Sequence, residues 1–235
     1  MSYMDEEVYM KMYRKVVSEY ISQMIESIEV SDEVNEDSTE SSKDNSNKPL
    51  MIVGPSAVGK DTMINRLKAK FPKVIYKLPS YTTRPKRNGE IDGVDYYFVT
   101  KEEFFKFKNE GKLFGIQEYN NNFYASNQSK LEEALENKAK VVILNYNIET
   151  ANHVKDDIDF NYVAILPPSE SALRERLIKR GTKDEEIEKR MKKSIKEIQL
   201  INEANYINYR MVNDVEEEAY NKLESHLKEI YPQLV

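Results

Sequence analysis

Two stretches of the chain carry residues whose types and spacing suit phosphate chemistry. In the first, Leu50-Met51-Ile52-Val53 stops at Gly54, four residues pass, and Gly59 leads into Lys60, Asp61 and Thr62. The apolar run reads as a buried strand and Met63-Ile64-Asn65-Arg66-Leu67-Lys68 as the continuation of a helix. A glycine loop between them turns successive backbone N–H groups and the positive end of the helix toward one point, and the lysine adds a mobile charge. The ligand such a loop suits is a nucleotide polyphosphate, held by Gly54, Pro55, Ser56, Ala57, Val58, Gly59, Lys60, Asp61 and Thr62. The pattern usually has Ser or Thr directly after the lysine, to hold Mg²⁺. Here that position is Asp61, whose carboxylate could ligate the metal itself or repel the phosphates. Two glycines and a lysine at these offsets also arise by chance, so the flanking strand and helix runs favour the phosphate reading.

The second stretch is Ser80-Tyr81-Thr82-Thr83-Arg84-Pro85-Lys86-Arg87-Asn88-Gly89-Glu90, followed by Gly93-Val94-Asp95-Tyr96. Arginine grips a phosphate dianion bidentately, and serine and tyrosine hydroxyls complete the shell, so this segment reads as a second phosphate site. A third cluster, Arg174, Arg176, Lys179, Arg180, Lys183 and Arg190, surrounds Gly181. It suits a hinged lid that closes arginines over a triphosphate, and equally a solvated helix face laced with ion pairs.

These residues need a framework to position them. Strand-like runs at Leu50 to Val53, Val74 to Leu78, Val141 to Leu144 and Tyr162 to Leu166 alternate with helical segments, which predicts an α/β fold with a mostly parallel sheet covered by helices. Between the second and third runs lies a segment of different texture, about residues 80–126, rich in Tyr, Phe, Asn and Gly. It has short strands (Tyr96 to Val99, Leu113 to Glu118, Asn122 to Ala125) and a helix opened by the capping box Thr100-Lys101-Glu102-Glu103. It reads as an inserted small mixed-β subdomain. A basic helical stretch from Ser169 to about Arg180 and its continuation through Ile187, Met191, Ile195 and Ile198 form the expected lid, about residues 174–192. A short strand from Tyr209 to Val212 and a helix from Glu216 to Ile230 close the chain.

At 235 residues the chain has room for one sizeable domain and an appendage. Residues 1–30 carry Met10, Tyr13, Val17, Tyr20 and Met24 at helical spacing, an amphipathic helix that either folds back or docks through residues 4–29 on a partner or a second copy. Residues 31–48 have one apolar side chain and read as a disordered acidic linker. The 12 acidic and 5 basic side chains of residues 1–48 account for the chain's net charge of −6 and leave residues 49–235 near +1. That balance argues against binding nucleic acid or anionic membranes. With no cysteine, and only His153 and His226, disulfides, thiolate nucleophiles and thiolate or histidine metal centres are excluded. No apolar run reaches the length of a membrane span and the N-terminus is acidic, so the expectation is a soluble cytoplasmic protein.

Taken together, Gly-Pro-Ser-x-x-Gly-Lys, Ser-x-Thr-Thr-Arg-x-x-Arg-x-x-Glu with Gly-x-Asp-Tyr-x-Phe, Phe123-Tyr124-Ala125-Ser126, Arg180-Gly181-Thr182 and Val212-Asn213-Asp214 resemble guanylate kinases from Pro49 to about Gln233. The resemblance implies a P-loop three-layer α/β/α fold and ATP-dependent phosphorylation of GMP or dGMP, with Mg²⁺ accompanying ATP. It also implies that Ser80, Arg84, Arg87, Tyr96 and Tyr124 hold the phosphate of GMP, that Glu90 belongs to the same GMP site and that Ser126 touches guanine. Lys60 and the loop amides would hold ATP phosphates, with Asp61 the candidate metal ligand. Arg176, Arg180 and Arg190 would be lid arginines acting with Lys60 and Arg84 in catalysis, and Asn213 would lie near adenine. Such a reaction needs positioning and charge neutralisation rather than a strong general base.

Four departures bear on base and metal. Asp61 replaces Ser or Thr; Gly115 stands where the family has a glutamate that reads guanine N1 and N2, with Gln117 or Glu118 nearby as substitutes; and the family's Asp-x-Asp reads Asn145-Tyr146-Asn147, which accounts for two more. Two other readings stay open. One is a kinase for another phosphorylated acceptor, because ribose 1,5-bisphosphate kinases also resemble this family and carry Asp after the lysine, though they lack most of the Thr-Thr-Arg-x-x-Arg-x-x-Glu segment. The other is a non-catalytic module gripping a phosphate on a protein, though such modules tend to lose the lysine that Lys60 retains.

Overall fold

A computed structural model describes residues 45–119, 121–138 and 140–235; the expected N-terminal helix and residues 31–44 of the expected linker lie outside the described residues. The parallel sheet is built from β1 (Leu50–Val53), β2 (Ile75–Lys77), β7 (Val141–Tyr146), β8 (Asn161–Leu166) and β9 (Tyr209–Val212), in the spatial order β2-β7-β1-β8-β9. β1 lies at the centre with all four residues fully buried. A central parallel strand is covered on both faces, which is why its sequence is continuously apolar instead of alternating.

Alternation still decides which face each side chain enters. Leu50 and Ile52 pack with Ile143, Val163 and Ile165 against α1 (Lys60–Lys70) and the closing helix, α7 (Glu216–Ile230). Met51 and Val53 pack on the opposite face with Val142, Leu144 and Ala164, against α4 (Ile148–Val154) and the C-terminal half of α6 (Asp184–Glu203). The result is the three-layer architecture expected.

The insert forms a second sheet in the order β4-β3-β6-β5, from β3 (Ser80–Thr82), β4 (Tyr96–Phe98), β5 (Leu113–Tyr119) and β6 (Asn122–Asn127). It carries α2 (Lys101–Asn109), started by the reciprocal capping bonds of Thr100 and Glu103, and is followed by α3 (Gln128–Glu136). β3 is the element that sequence pattern misses. Of its three residues only Thr82 is buried, so it shows no apolar alternation.

The stretch expected as a lid, about residues 174–192, falls on α5 (Glu170–Lys179) and the N-terminal part of α6. Its small core of Leu173, Leu177, Ile187 and Met191 closes over Ala57 of the glycine loop, so lid and loop share packing. Gly181, at φ 71°, ends α5: its N–H bonds to Ile178 O and that of Thr182 to Leu177 O. This glycine is therefore a helix stop with a left-handed cap.

Residues 45–48, placed in the expected linker, are tied to the domain. Asn161 Nδ2 donates to Asn45 O (2.9 Å), the buried Tyr231 hydroxyl donates to Lys48 O (3.0 Å), and Lys48 pairs with Asp159 (2.9 Å). Among the described residues no helix is long and apolar enough to cross a membrane.

Candidate active site

Parallel strands of this kind direct their carboxyl ends, and the loops that follow, to one edge of the sheet, where ligands of open α/β sheets bind. The loop after β1 is held in shape by backbone conformations that side chains resist. Gly54 (φ 154°) and Gly59 (φ 108°) have no room for a Cβ, which would stand 2.4 Å from Ile165 O and 2.5 Å from Asn213 Nδ2. Ala57, at φ 65°, adopts the left-handed region as a non-glycine residue.

Lys60 opens α1 and folds back so that Nζ donates to Gly54 O (2.5 Å) and Pro55 O (3.0 Å). Burial pulls its pKa down to about 8; the nearby Glu197 and Asp61 carboxylates oppose that fall, while Arg180 adds to it. At neutral pH the ammonium is still mostly charged, poised for an anion.

Lys60 lines a cleft of about 310 Å³ with Gly54, Ser56, Ala57, Asp61, Asn145, Arg180, Arg190, Ser194 and Glu197. Register explains why strand β7 contributes: Ile52 pairs with Asn145 and Val53 with Tyr146, so β7 ends beside the start of the loop. Asn145 Nδ2 donates to Asp61 Oδ1 (3.0 Å), and Lys77 Nζ reaches the same oxygen at 3.4 Å.

Of the three lid arginines expected, Arg180 and Arg190 line this cleft. Arg176 is engaged elsewhere, donating to Asn213 O (2.6 Å) and Val58 O (3.3 Å), and so clamps the lid root to the glycine loop. Asn213 is buried and also donates to Val58 O (2.8 Å), while its Oδ1 has no partner. Thr62 is half-buried in the first turn of α1 and is not among the residues lining the cleft.

A second cleft of similar size is lined by Arg84, Arg87, Glu90, Tyr96, Glu118 and Tyr124, and it adjoins the first at Gln117, Tyr119, Asn147 and Lys193, which line both. Arg84 and Glu90 form a bidentate pair at 3.0 and 2.6 Å, and the Arg87 N–H donates to the same carboxylate at 2.7 Å. The Arg84 pairing holds the Glu90 pKa below the usual carboxylate range. Glu90 therefore shapes the arginine loop and sets the Arg84 fork. Burial, then the Asp61 charge and Tyr124, pushes the Tyr96 phenol up, so it remains a neutral donor at 6.1 Å between ring centroids from Tyr124. Ser80 is half-buried in β3, paired with Tyr96, outside the residues that line this cleft.

Ser126 is not on the cleft surface. It is buried beneath it and accepts a 2.5 Å hydrogen bond from the Tyr146 hydroxyl. Sequence reasoning gave no role to Tyr146, Tyr119 or Lys193. Lys193 had a legible signal, since Arg190, Lys193, Ser194 and Glu197 follow helical spacing and form a polar stripe on an otherwise core-facing helix. Tyr146 had none, because its partners lie 20 and 31 positions away in the chain.

Residues 46–230 match the sequence model of the guanylate kinase family. The guanylate kinase of Oceanobacillus iheyensis is 34% identical over 180 residues, covering 76% of this chain and 85% of its own. That of Schizosaccharomyces pombe is 38% identical over 180 residues, 76% of this chain and 89% of its own. The crystal structure of guanylate kinase from Anaplasma phagocytophilum superposes with a TM-score of 0.59 at 27% identity, covering 77% of this chain and 85% of that one.

Proposed function

The chain belongs to the guanylate kinase family, and from that premise we propose how its residues transfer the γ-phosphoryl group of ATP to GMP. The cleft beside the glycine loop takes the ATP phosphates, with Lys60, Arg180 and Arg190 neutralising the charge that builds on the transferring group. The adjoining cleft takes the GMP phosphate between Arg84, Arg87, Tyr96 and Tyr124. Glu90 orients Arg84, and Arg176 and Asn213 fix the loop and the root of the lid. Ser80 lies in β3 opposite Tyr96 of that set.

The observation that carries this reading is that two clefts, each with its own cationic set, meet at a shared border. An acceptor phosphate oxygen and a γ-phosphorus can then approach in line, and little else is required of the protein.

The family's metal, Mg²⁺ accompanying ATP, fits the residues present. Among the described residues no three His, Asp or Glu side chains gather into a metal cage, but Mg²⁺ on a nucleotide keeps waters and phosphate oxygens and needs only one or two carboxylates. Asp61, exposed at the cleft, is the side chain that would hold it. The ion supplies charge neutralisation on the phosphates.

The test is ADP formation from Mg-ATP with GMP, dGMP, AMP, UMP, CMP and ribose 1,5-bisphosphate as acceptors. Turnover with GMP, reduced about a hundredfold or more by Lys60→Ala, is expected. GMP binding without turnover of any acceptor would instead indicate a phosphate-gripping module.

A further inference from the structure

Three contacts fix the part of the acceptor cleft around Gln117. Gly115 sits at φ 60°, and a Cβ there would lie 2.5 to 2.6 Å from Cε2, Cζ and Oη of Tyr146. The tyrosine ring thus occupies the space a side chain at position 115 would need. Its hydroxyl also donates to Ser126, whose own hydroxyl is buried.

The third contact fixes Gln117. Asn147 caps α4, its Oδ1 accepting from the Thr150 backbone N–H at 2.8 Å, an acceptor role that cannot be reversed because a backbone N–H only donates. Asn147 Nδ2 must then be the donor to Gln117, at 2.9 Å, so Gln117 turns Oε1 toward it, with the Thr150 hydroxyl at 3.5 Å from the same oxygen. What Gln117 has left to offer the cleft is its Nε2, a pure donor. A polarity that a carboxylate at 115 would have set as accepting is set here as donating.

We propose that Gln117 reads the acceptor base, donating from Nε2 to the 6-oxo group of a purine nucleoside monophosphate, with no fixed group taking the 2-amino substituent. This inference rests on the proposed phosphoryl transfer to GMP. Guanine and hypoxanthine both present the 6-oxo acceptor and differ only at the 2-position, so their nucleotides are used alike. Adenine presents a 6-amino donor to a donor, leaving both groups unpaired on binding, and is refused. Among the described residues two carboxylates line the cleft: Glu90 is taken up by Arg84 and Arg87, and Glu118 is solvent-exposed.

Steady-state kcat/KM is measured for GMP, IMP and AMP with the full-length protein and with Gln117→Ala. For the unaltered protein, IMP is expected within about threefold of GMP and AMP about a hundredfold or more below it. In Gln117→Ala, folding being checked by thermal unfolding, the GMP-to-AMP ratio is expected to fall to about tenfold or less, chiefly through KM for GMP. Asn147→Ala, which frees Gln117 to rotate, is expected to move the ratio in the same direction by a smaller factor. Failure to turn over GMP at all counts against the phosphoryl-transfer reading. Turnover of GMP with a preference over IMP of about thirtyfold or more, or equal use of AMP, overturns the assignment of Gln117 while leaving that reading intact.

Discussion

The lowered pKa of Lys60 makes ATP affinity depend on pH in a calculable way. Burial brings its proton affinity down to about pH 8 in the free protein, and a polyphosphate set against Nζ restores the charged form. Above pH 8, binding must therefore draw a proton from solution. The apparent Kd for Mg-ATP should rise by about a factor of two from its low-pH value at pH 8 and by about tenfold at pH 9, or about 1.4 kcal/mol, while it is nearly flat below pH 7.5. The stability of the free protein moves the other way. With its pKa depressed below the ordinary 10.5, this lysine is protonated in both folded and unfolded chains below pH 8, where burying the charge is a cost. Between pH 8 and 10.5 the folded state loses the proton first, so that cost is relieved as pH rises. Isothermal titration calorimetry of Mg-ATP from pH 7 to 9.5, in buffers of different ionisation enthalpy, reads affinity and proton uptake together. About 0.9 proton per ATP is expected at pH 9, and Lys60→Arg, which does not titrate in this range, should show neither uptake nor slope. A Kd constant within twofold across the range, or no buffer dependence at pH 9, would refute the reasoning.

Three further outcomes follow from other contacts. Asp61→Asn should raise the Mg²⁺ concentration needed for half-maximal activity by about tenfold, and an unchanged requirement would place the carboxylate outside the metal's shell. Buried Glu224 is pushed up by its burial, but hydrogen bonds from Lys228 and Lys70 (2.8 and 2.7 Å) outweigh this and hold it at about 2. It therefore contributes stability above pH 4.5 that is lost as pH falls toward 2, and Glu224→Gln should cost about 1–3 kcal/mol at pH 7 in urea titrations and flatten that acid slope. Removing residues 1–48 rather than 1–44 strips the acceptors from Tyr231 and Asn161, so the shorter protein should melt about 5–10 °C lower; equal Tm values would show those bonds contribute nothing.

The fold was legible where local pattern and tertiary environment agree. β1 and β9 fall on the residues the sequence indicates, and the Thr100–Glu103 box starts α2 as its spacing requires. The glycine loop with Lys60 and the Arg84–Glu90 segment were legible as motifs for the same reason, since each lies within about a dozen consecutive residues, and both line clefts. What pattern could not show were contacts that the fold closes over long separations. Arg176 reads as one more lid arginine, yet its guanidinium is occupied by carbonyls 37 and 118 positions away. Glu90 reads as part of a binding motif, and only its bonds to Arg84 and Arg87 show that it also shapes the loop. Gly181 looks like a hinge by position, and its two capping hydrogen bonds show that it also ends α5.

The same long-range contacts change how the four departures from the family pattern are understood. They are not four independent losses, because Asp61 and Asn145 touch one another and Gly115 and Asn147 are tied through Tyr146 and Gln117 to the same strand end. A carboxylate absent from position 145 reappears beside it at 61, where the start of α1 favours an anion and the amide at 145 donates to it at 3.0 Å. A carboxylate at 145 would face Asp61 at that distance, so the amide and the acid depend on each other. Position 115 can be only glycine while Tyr146 fills its side-chain volume, and Tyr146 can lie there only because 115 has no side chain. Asn147, amide rather than acid, then has a donor to spend on Gln117. Residues 145, 146 and 147 thus reach three separate partners from the end of one strand. A single strand end keeps one carboxylate at the cleft, moved to Asp61, and on the proposed reading sets the hydrogen-bond polarity that Gln117 offers the base, while Arg84, Arg87, Tyr96 and Tyr124 still line the adjoining cleft.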